Sequence, residues 1–373
     1  MELLNATGMQ AGYTMGMDPS GREHLVAVVK GTFSIPNAGD EALRAAIQFP
    51  LVEADTFSGE PGFSAPLFET DYPLRKPRCD VLLVGNAHAP QGHPAQAVKV
   101  GLQVGTMVKT FRVVGDRAWQ VDAANEVWLT DSEPFEFMPL TYDRAFGGSD
   151  DRHPDASKHS AYLRNPIGRG YHKRLERPLL HDQPAPNTEA LNEPIKRPDR
   201  PYTPMAFTPL GRGWEPRLRY AGTYDQHWLD EGFPFLPADF QDDYFQAAPA
   251  DQQIPYPRGG ETVKMLNLTP GLREQFDLPT VDVPFTFFRK QGGKEERPGV
   301  IDTIVFIPDQ RVFTMTWRAS IPLKKNMFEI PQVLAGRMTR GWWRARELGK
   351  TYYPSLDAAI RDKRASEREE AEA

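Results

Sequence analysis

The sequence predicts a mainly β protein: a sandwich-like antiparallel scaffold, a long proline-rich irregular middle segment and a C-terminal helical segment. Three observations carry this expectation. Runs rich in Val, Ile, Thr and Phe stand at both ends of the chain. The 373 residues include 35 prolines and 30 glycines, which argues against long uninterrupted helices. Residues 134–257 hold 18 of the prolines and show no clean helical or strand period. They also carry Phe146, Trp214, Trp228, Phe233, Phe235, Phe240 and Phe245, and aromatics at that density belong to packed coil rather than a disordered linker.

Taken in order, residues 24–35 (HLVAVVKGTFSI) read as a strand closed by Pro36. Residues 79–87, 97–105 and 109–114 follow at short spacing with glycine-containing turns, as a meander would. Val98, Val100, Leu102 and Val104 alternate with Lys99, Gly101 and Gln103, so the first set faces a core. After the turn at Gly115, residues 118–129 can return as a further strand containing Trp119, Val121, Val127 and Trp128. The proline-rich middle, about 134–260, is expected to lie as ordered coil across the scaffold. Residues 262–323 are again strand-like, with a hairpin connection at Pro308, Asp309 and Gln310. From there the expected division is a β-rich domain over 1–326 and a helical segment with a charged tail over 327–373. Its helix begins near Pro331, breaks at Pro354 and frays after Arg361.

Composition narrows the function. A net charge of −6 disfavours nucleic acid as the main partner, and no apolar run approaches a membrane span. The single cysteine, Cys79, excludes an internal disulfide framework and every multi-cysteine zinc site. With no basic, apolar leader at the start, the expected location is the cytoplasm. Neither cofactor nor metal is expected: His153, His159, His172 and His181 show no ligand-pair spacing, and His88 and His93 flank a turn. Asp225, His227 and Trp228, with Asp239 downstream, could form an acid–base group, but no motif of a known hydrolase accompanies them. The glycine pairs at 168/170, 211/213 and 259/260 lack phosphate-loop spacing. Residues 164–220 carry 11 basic and 6 acidic side chains among aromatics, best read as mixed-charge coil with Arg stems on aromatic faces. One stretch suits an interface: Trp342, Trp343, Tyr352 and Tyr353 stand among Arg340 and Arg344, the residue types enriched in binding hot spots. Burial against the chain's own scaffold explains the same aromatics.

A series of motifs falls in a recognisable order. It runs from Asn5 and Thr7, through VKGTF at 29–33, Asp71, Lys76, Asp80 and the GDRAW run with Asp116 and Arg117, to FMPLTYDRAFGG at 137–148, ending in Gly147 and Gly148. It continues with Asn165 and Gly168, Trp214 and Arg217, Gly222, Asp225 and Trp228, and Asp239. Over roughly residues 1–290 this pattern resembles the domain-of-unknown-function 2169 family. The resemblance implies a non-enzymatic, cytoplasmic adaptor or chaperone of type VI secretion. Such a protein holds a secreted effector, often a PAAR-like protein, and helps place it on the spike. It implies no catalytic residues; Gly147, Gly148, Asn165, Gly168 and Gly222 would serve turns, and Asp116, Arg217 and Asp225 would satisfy buried partners. Acting stoichiometrically, an adaptor would cover apolar effector surface with an exposed strand edge or aromatic patch. The competing expectations are a hydrolase centred on Asp225 and His227, and a β-sandwich module that binds carbohydrate or another small ligand on an exposed Trp. Buried Trp214 and Trp228 would count against the latter.

Overall fold

The structure, a computed structural model, describes residues 1–37, 39–353, 355–361 and 364. Three sheets form the scaffold, built from fifteen strands. They are β1 (Glu2–Asn5), β2 (Gln10–Met17), β3 (Glu23–Ser34), β4 (Cys79–Leu83), β5 (Ala97–Val104), β6 (Met107–Val114), β7 (Thr188–Glu189) and β8 (Gln253–Ile254). The later ones are β9 (Thr262–Leu266), β10 (Arg273–Asp277), β11 (Pro284–Phe288), β12 (Lys294–Pro298), β13 (Val300–Ile307), β14 (Val312–Pro322) and β15 (Gln332–Ala335). Sheet A has the order β8-β4-β13-β14-β3-β2, sheet B β7-β6-β5-β9-β10 and sheet C β1-β15-β11-β12. Pairing is antiparallel except β4 with β13 and β1 with β15.

One apolar cluster joins all three sheets, and period-2 alternation selects its members. Leu25, Ala27, Val29 and Phe33 of β3, and Phe313, Met315, Trp317 and Ala319 of β14, meet Val98, Val100, Leu102 and Phe111 of sheet B and Phe285, Phe287 and Val333 of sheet C. The alternation expected at 98–104 is therefore correct. Fully burying each Phe or Leu contributes roughly 1.5–3 kcal/mol. The other face of sheet A is also buried, under Leu51, Tyr72, Leu74 and Phe245, but there apolar Val26 and Val28 give way to Lys30, Thr316, Arg318, Asp302 and Asp80.

The mainly β class, the strands at both ends and the helix near the C-terminus match expectation, and three elements differ. Residues 79–83 do not extend the meander: β4 leaves the β5–β6 hairpin and runs parallel to β13 in sheet A. Its side chains are buried on both faces, the mark of an interior strand, and only a long-range pairing supplies two covered faces. Residues 118–129 return on themselves as Trp119–Val121 paired with Val127–Leu129, because the Asn125 turn closes a local hairpin. The segment after Pro331 begins as strand β15, not helix. Val333 and Leu334 are buried between β1 and β11, and that pairing overrides the proline start signal. The helix is Arg340–Glu347, whose Thr339 side chain accepts the Trp342 N–H at 3.2 Å. The break expected at Pro354 lies outside the described residues, as do residues 362–363 and 365–373 of the charged tail.

The proline-rich middle has the irregular, ordered character expected of it. With flanking segments it builds two further cores: Trp119, Phe146, Tyr162, Leu180 and Tyr202 in one, Ala65, Tyr142, Leu210 and Trp214 in another. Phe146 meets Tyr162 and Tyr202 edge-on, with ring centroids 5.1 and 5.0 Å away.

Candidate interaction surface

Most of the motif residues face inward. Asp80, on the outer face of β4, is fully buried and accepts from Lys76 Nζ at 2.7 Å, Gln246 Nε2 at 2.6 Å and the N–H groups of Ala247 and Ala248 at 2.8 and 3.2 Å. It thereby ties the coil to the scaffold. Lys76 also donates to Thr303 Oγ1 at 3.0 Å and lies 3.8 Å from Glu69. Burial disfavours its charge, but the Asp80 and Glu69 carboxylates outweigh this and hold its pKa above the ordinary lysine value. Asp71 accepts from Lys30 at 2.9 Å and from the Val52 N–H at 2.7 Å. Arg217 donates to Glu69 at 2.7 Å and to the Leu210 and Tyr244 carbonyls at 2.8–3.1 Å. Arg318 pairs with Asp302 at 2.5 Å, and Arg212 with Asp55 at 2.7 Å and Glu69 at 2.8 Å. Five cations (Lys30, Lys76, Arg212, Arg217 and Arg318) thus face five carboxylates (Asp55, Glu69, Asp71, Asp80 and Asp302). Only about 20 Å³ of free space adjoins Lys30, Glu69, Asp71 and Lys76, which is room for one water at most. This balanced cluster clamps coil to sheet, and its outer members Asp55, Glu69, Arg212 and Arg217 also line a cavity of about 370 Å³ beside Trp214. Lys30 lies in the VKGTF run, but Asp302 and Arg318 escaped the sequence reading, although a charge set inside an apolar strand run was the available signal.

The other motif positions shape turns. Gly147 and Gly148 have φ of +152° and +104°, and a Cβ on Gly147 would run into the Asn165 carbonyl. Asn165 Nδ2 donates to the Tyr142 and Phe146 carbonyls, and a Cβ on the neighbouring Gly168 would strike its side chain. Asp116 receives Asn187 Nδ2 at 2.9 Å and Arg144 at 3.4 Å, and Arg117 pairs with Glu189 at 2.7 Å. Trp214 is buried against Tyr142.

Residues 222–239 stand apart as an exposed knob. Gly222, at φ +85°, turns the chain out, and Asp239 closes the base by accepting the Thr223 N–H at 2.9 Å and hydroxyl at 2.7 Å. Asp225 accepts the Trp228 N–H at 2.9 Å, and Trp228 Nε1 donates to the Phe235 carbonyl at 2.9 Å. Trp228 is half-buried between Tyr224 and Phe233, whose rings meet it edge-on at 4.8 and 5.8 Å. Tyr224, Leu229, Phe233 and Phe235 remain exposed, Phe233 at 65%. His227 points to Glu231 at 3.7 Å on the open surface. Among the described residues no hydrogen bond joins Asp225 to His227. A cleft of about 600 Å³ lies elsewhere, lined by Lys109, Tyr142, Arg164, Arg217, Arg219 and Asp251. Burial holds the Lys109 pKa below its ordinary value, although Asp251 opposes this, and its ammonium donates to Gln252 at 2.7 Å.

The C-terminal aromatics pack on sheet C. Trp342 and Trp343 are half-buried over Phe288, Lys294 Nζ lies 4.5 Å from the Trp343 ring, and Arg346 covers Phe288 at 3.7 Å. Tyr352 is bonded to Thr339 at 3.0 Å, while Arg340, Arg344 and Tyr353 are exposed. Strand β2, which lay outside the predicted elements, forms an edge of sheet A and, among the described residues, pairs with β3 alone. Its glycines weaken the strand signal, although Ala11, Tyr13, Met15 and Met17 alternate as a strand requires. Among the described residues no group of three His, Cys, Asp or Glu side chains could hold a metal, and Cys79 is buried with its thiol pushed well up by that burial. No helix is long and apolar enough to cross a membrane among those residues.

Fold and surface define a mainly β protein whose buried charges hold coil to sheet, with apolar side chains of the knob at the surface. A family described as an uncharacterized protein conserved in bacteria (DUF2169) matches residues 20–318, and the chain belongs to that family. No curated protein and no solved structure matches it.

Proposed function

We propose that the chain is an adaptor or chaperone of type VI secretion, which binds a cognate effector, such as a PAAR-like protein, in the cytoplasm and helps load it onto the secretion spike. The observation that carries this reading is the knob: four large apolar side chains stay exposed on a segment whose motif residues, Gly222, Asp225 and Asp239, are all used to hold it out. Exposed apolar clusters of this kind mark protein contacts. The half-buried Trp342 and Trp343, roofed by Arg346 and Lys294, serve the scaffold more than a partner. The hydrolase reading lacks its Asp225–His227 contact; of the tryptophans that bear on the ligand-module reading, Trp214 is buried and Trp228 half-buried in the knob, while Trp128 is exposed on its own hairpin. Deleting the gene in the native host tests the proposal. Delivery of one effector should be lost while spike components are still secreted; unchanged delivery of every effector would refute it.

A further inference from the structure

The edges of the three sheets are not alike. Strands β7 and β8 have two residues each, β10 (REQFD) carries three charges in five residues, and β12 (KEERP) carries four charges and a proline. Edge β1 is four residues long and begins with Glu2. Short, charged or proline-bearing edges resist pairing with other chains. Strand β2 (QAGYTMGM) has eight residues with neither charge nor proline. Among the described residues the only strand paired with it is β3, so one side of its backbone is unpaired. Both of its faces are nevertheless flanked by protein. Ala11 and Met15 pack on the main core, Gly12 lies under Tyr72 and Leu51, and Gly16 under Leu74.

We propose that β2 is a strand-addition site that takes an extended, alternately apolar segment of the protein partner as a seventh strand of sheet A; this rests on the adaptor reading above. The row Tyr13, Met15 and Met17 is soft and apolar, suited to varied large side chains, while the row Gly12, Thr14 and Gly16 lies under Tyr72, Leu51 and Leu74. At the far end of β2 the Phe235 ring covers Gly21 in the β2–β3 turn, where a Cβ would sit 3.1 Å from it. The knob, with its exposed Phe233, therefore continues the surface past the end of the strand. A second copy of the chain is the poorer occupant. Eight residues span about 27 Å, and edge-on contact over that length covers on the order of 300 Å² a side against about 800 Å² in stable interfaces. An extended segment also lays side chains on both flanks and reaches the knob.

The test compares amide hydrogen exchange in the isolated chain with that in the complex purified from the native host. About four of the eight β2 amides, the alternate ones turned away from β3, should exchange freely in the isolated chain and slow on the order of a hundredfold in the complex. If a complex forms and these amides exchange as before, the strand site is wrong while the adaptor reading stands. Slowing that grows with the concentration of the isolated chain identifies a second copy as the occupant and overturns the proposal. Failure to recover any specific complex removes the adaptor reading and this proposal together. As a second readout, Tyr13→Lys at the exposed edge should weaken the complex at least tenfold with the melting temperature unchanged, and Val108→Lys on the exposed face of sheet B should not.

Discussion

Lys76 shows what the motif residues do one by one. Its ammonium is the common partner of Asp80 and Glu69 in a region without solvent. Lys76→Met should destabilise the fold by about 3–5 kcal/mol in urea unfolding, because it strands buried carboxylates rather than merely losing an attraction. A loss under 1 kcal/mol would mean that the cluster is not a clamp. Asp18, at the turn beside the knob, gives a pH signature. Partial burial raises its pKa, but hydrogen bonds from Ser20, His24 and the Arg22 and Ser20 N–H groups outweigh that and hold it at about 2, below the ordinary 3.8. A depressed folded pKa favours the folded state fully above 3.8, and the advantage is lost as pH falls from there through about 2. Stability measured between those limits should therefore fall less steeply for Asp18→Asn than for the natural chain. The residue types were readable in the sequence, but their partners were not. Asp80 meets Gln246 across 166 positions, a pairing that no local spacing encodes.

At the scale of elements, the long strands were readable because alternation over eight or more residues is a strong signal, as in β5 and β14. Other strands were not: β1 and β15 have four residues each and are defined by what they lie beside, and the glycines of β2 weaken its alternation. This decides where the chain can be cut. A chain ending at Met338 keeps β15 between β1 and β11 and should still unfold cooperatively, with the helix signal lost and a modest fall in melting temperature as Phe288 loses Trp342, Trp343 and Arg346. Ending it at Ile330 removes an interior strand of sheet C together with buried Val333 and Leu334, and should give a protein that fails to fold or melts far lower. Equal melting temperatures for the two truncations would contradict the assigned topology. The knob should behave oppositely. Phe233→Ala removes a largely exposed ring, so thermal stability should stay within about 0.5 kcal/mol while partner binding weakens.

At the scale of the whole molecule, the chain combines a β core, a coil clamped to it by buried charge, and exposed apolar side chains that include those of the knob and the β2 edge. The family pattern was visible in the sequence because turn glycines and clamped charges sit at fixed places along the coil. The interaction surface was visible only as a general need, since exposure belongs to the folded shape. The central claim is that these apolar features hold a protein partner, and gentle affinity purification of the tagged chain from its native host, with stoichiometry determined, tests it most directly. The account predicts a stoichiometric complex with one secreted effector or PAAR-like protein, depleted when Phe233→Ala and Tyr13→Lys are combined. An abundant, folded chain that carries no specific protein while the secretion genes are expressed would contradict it.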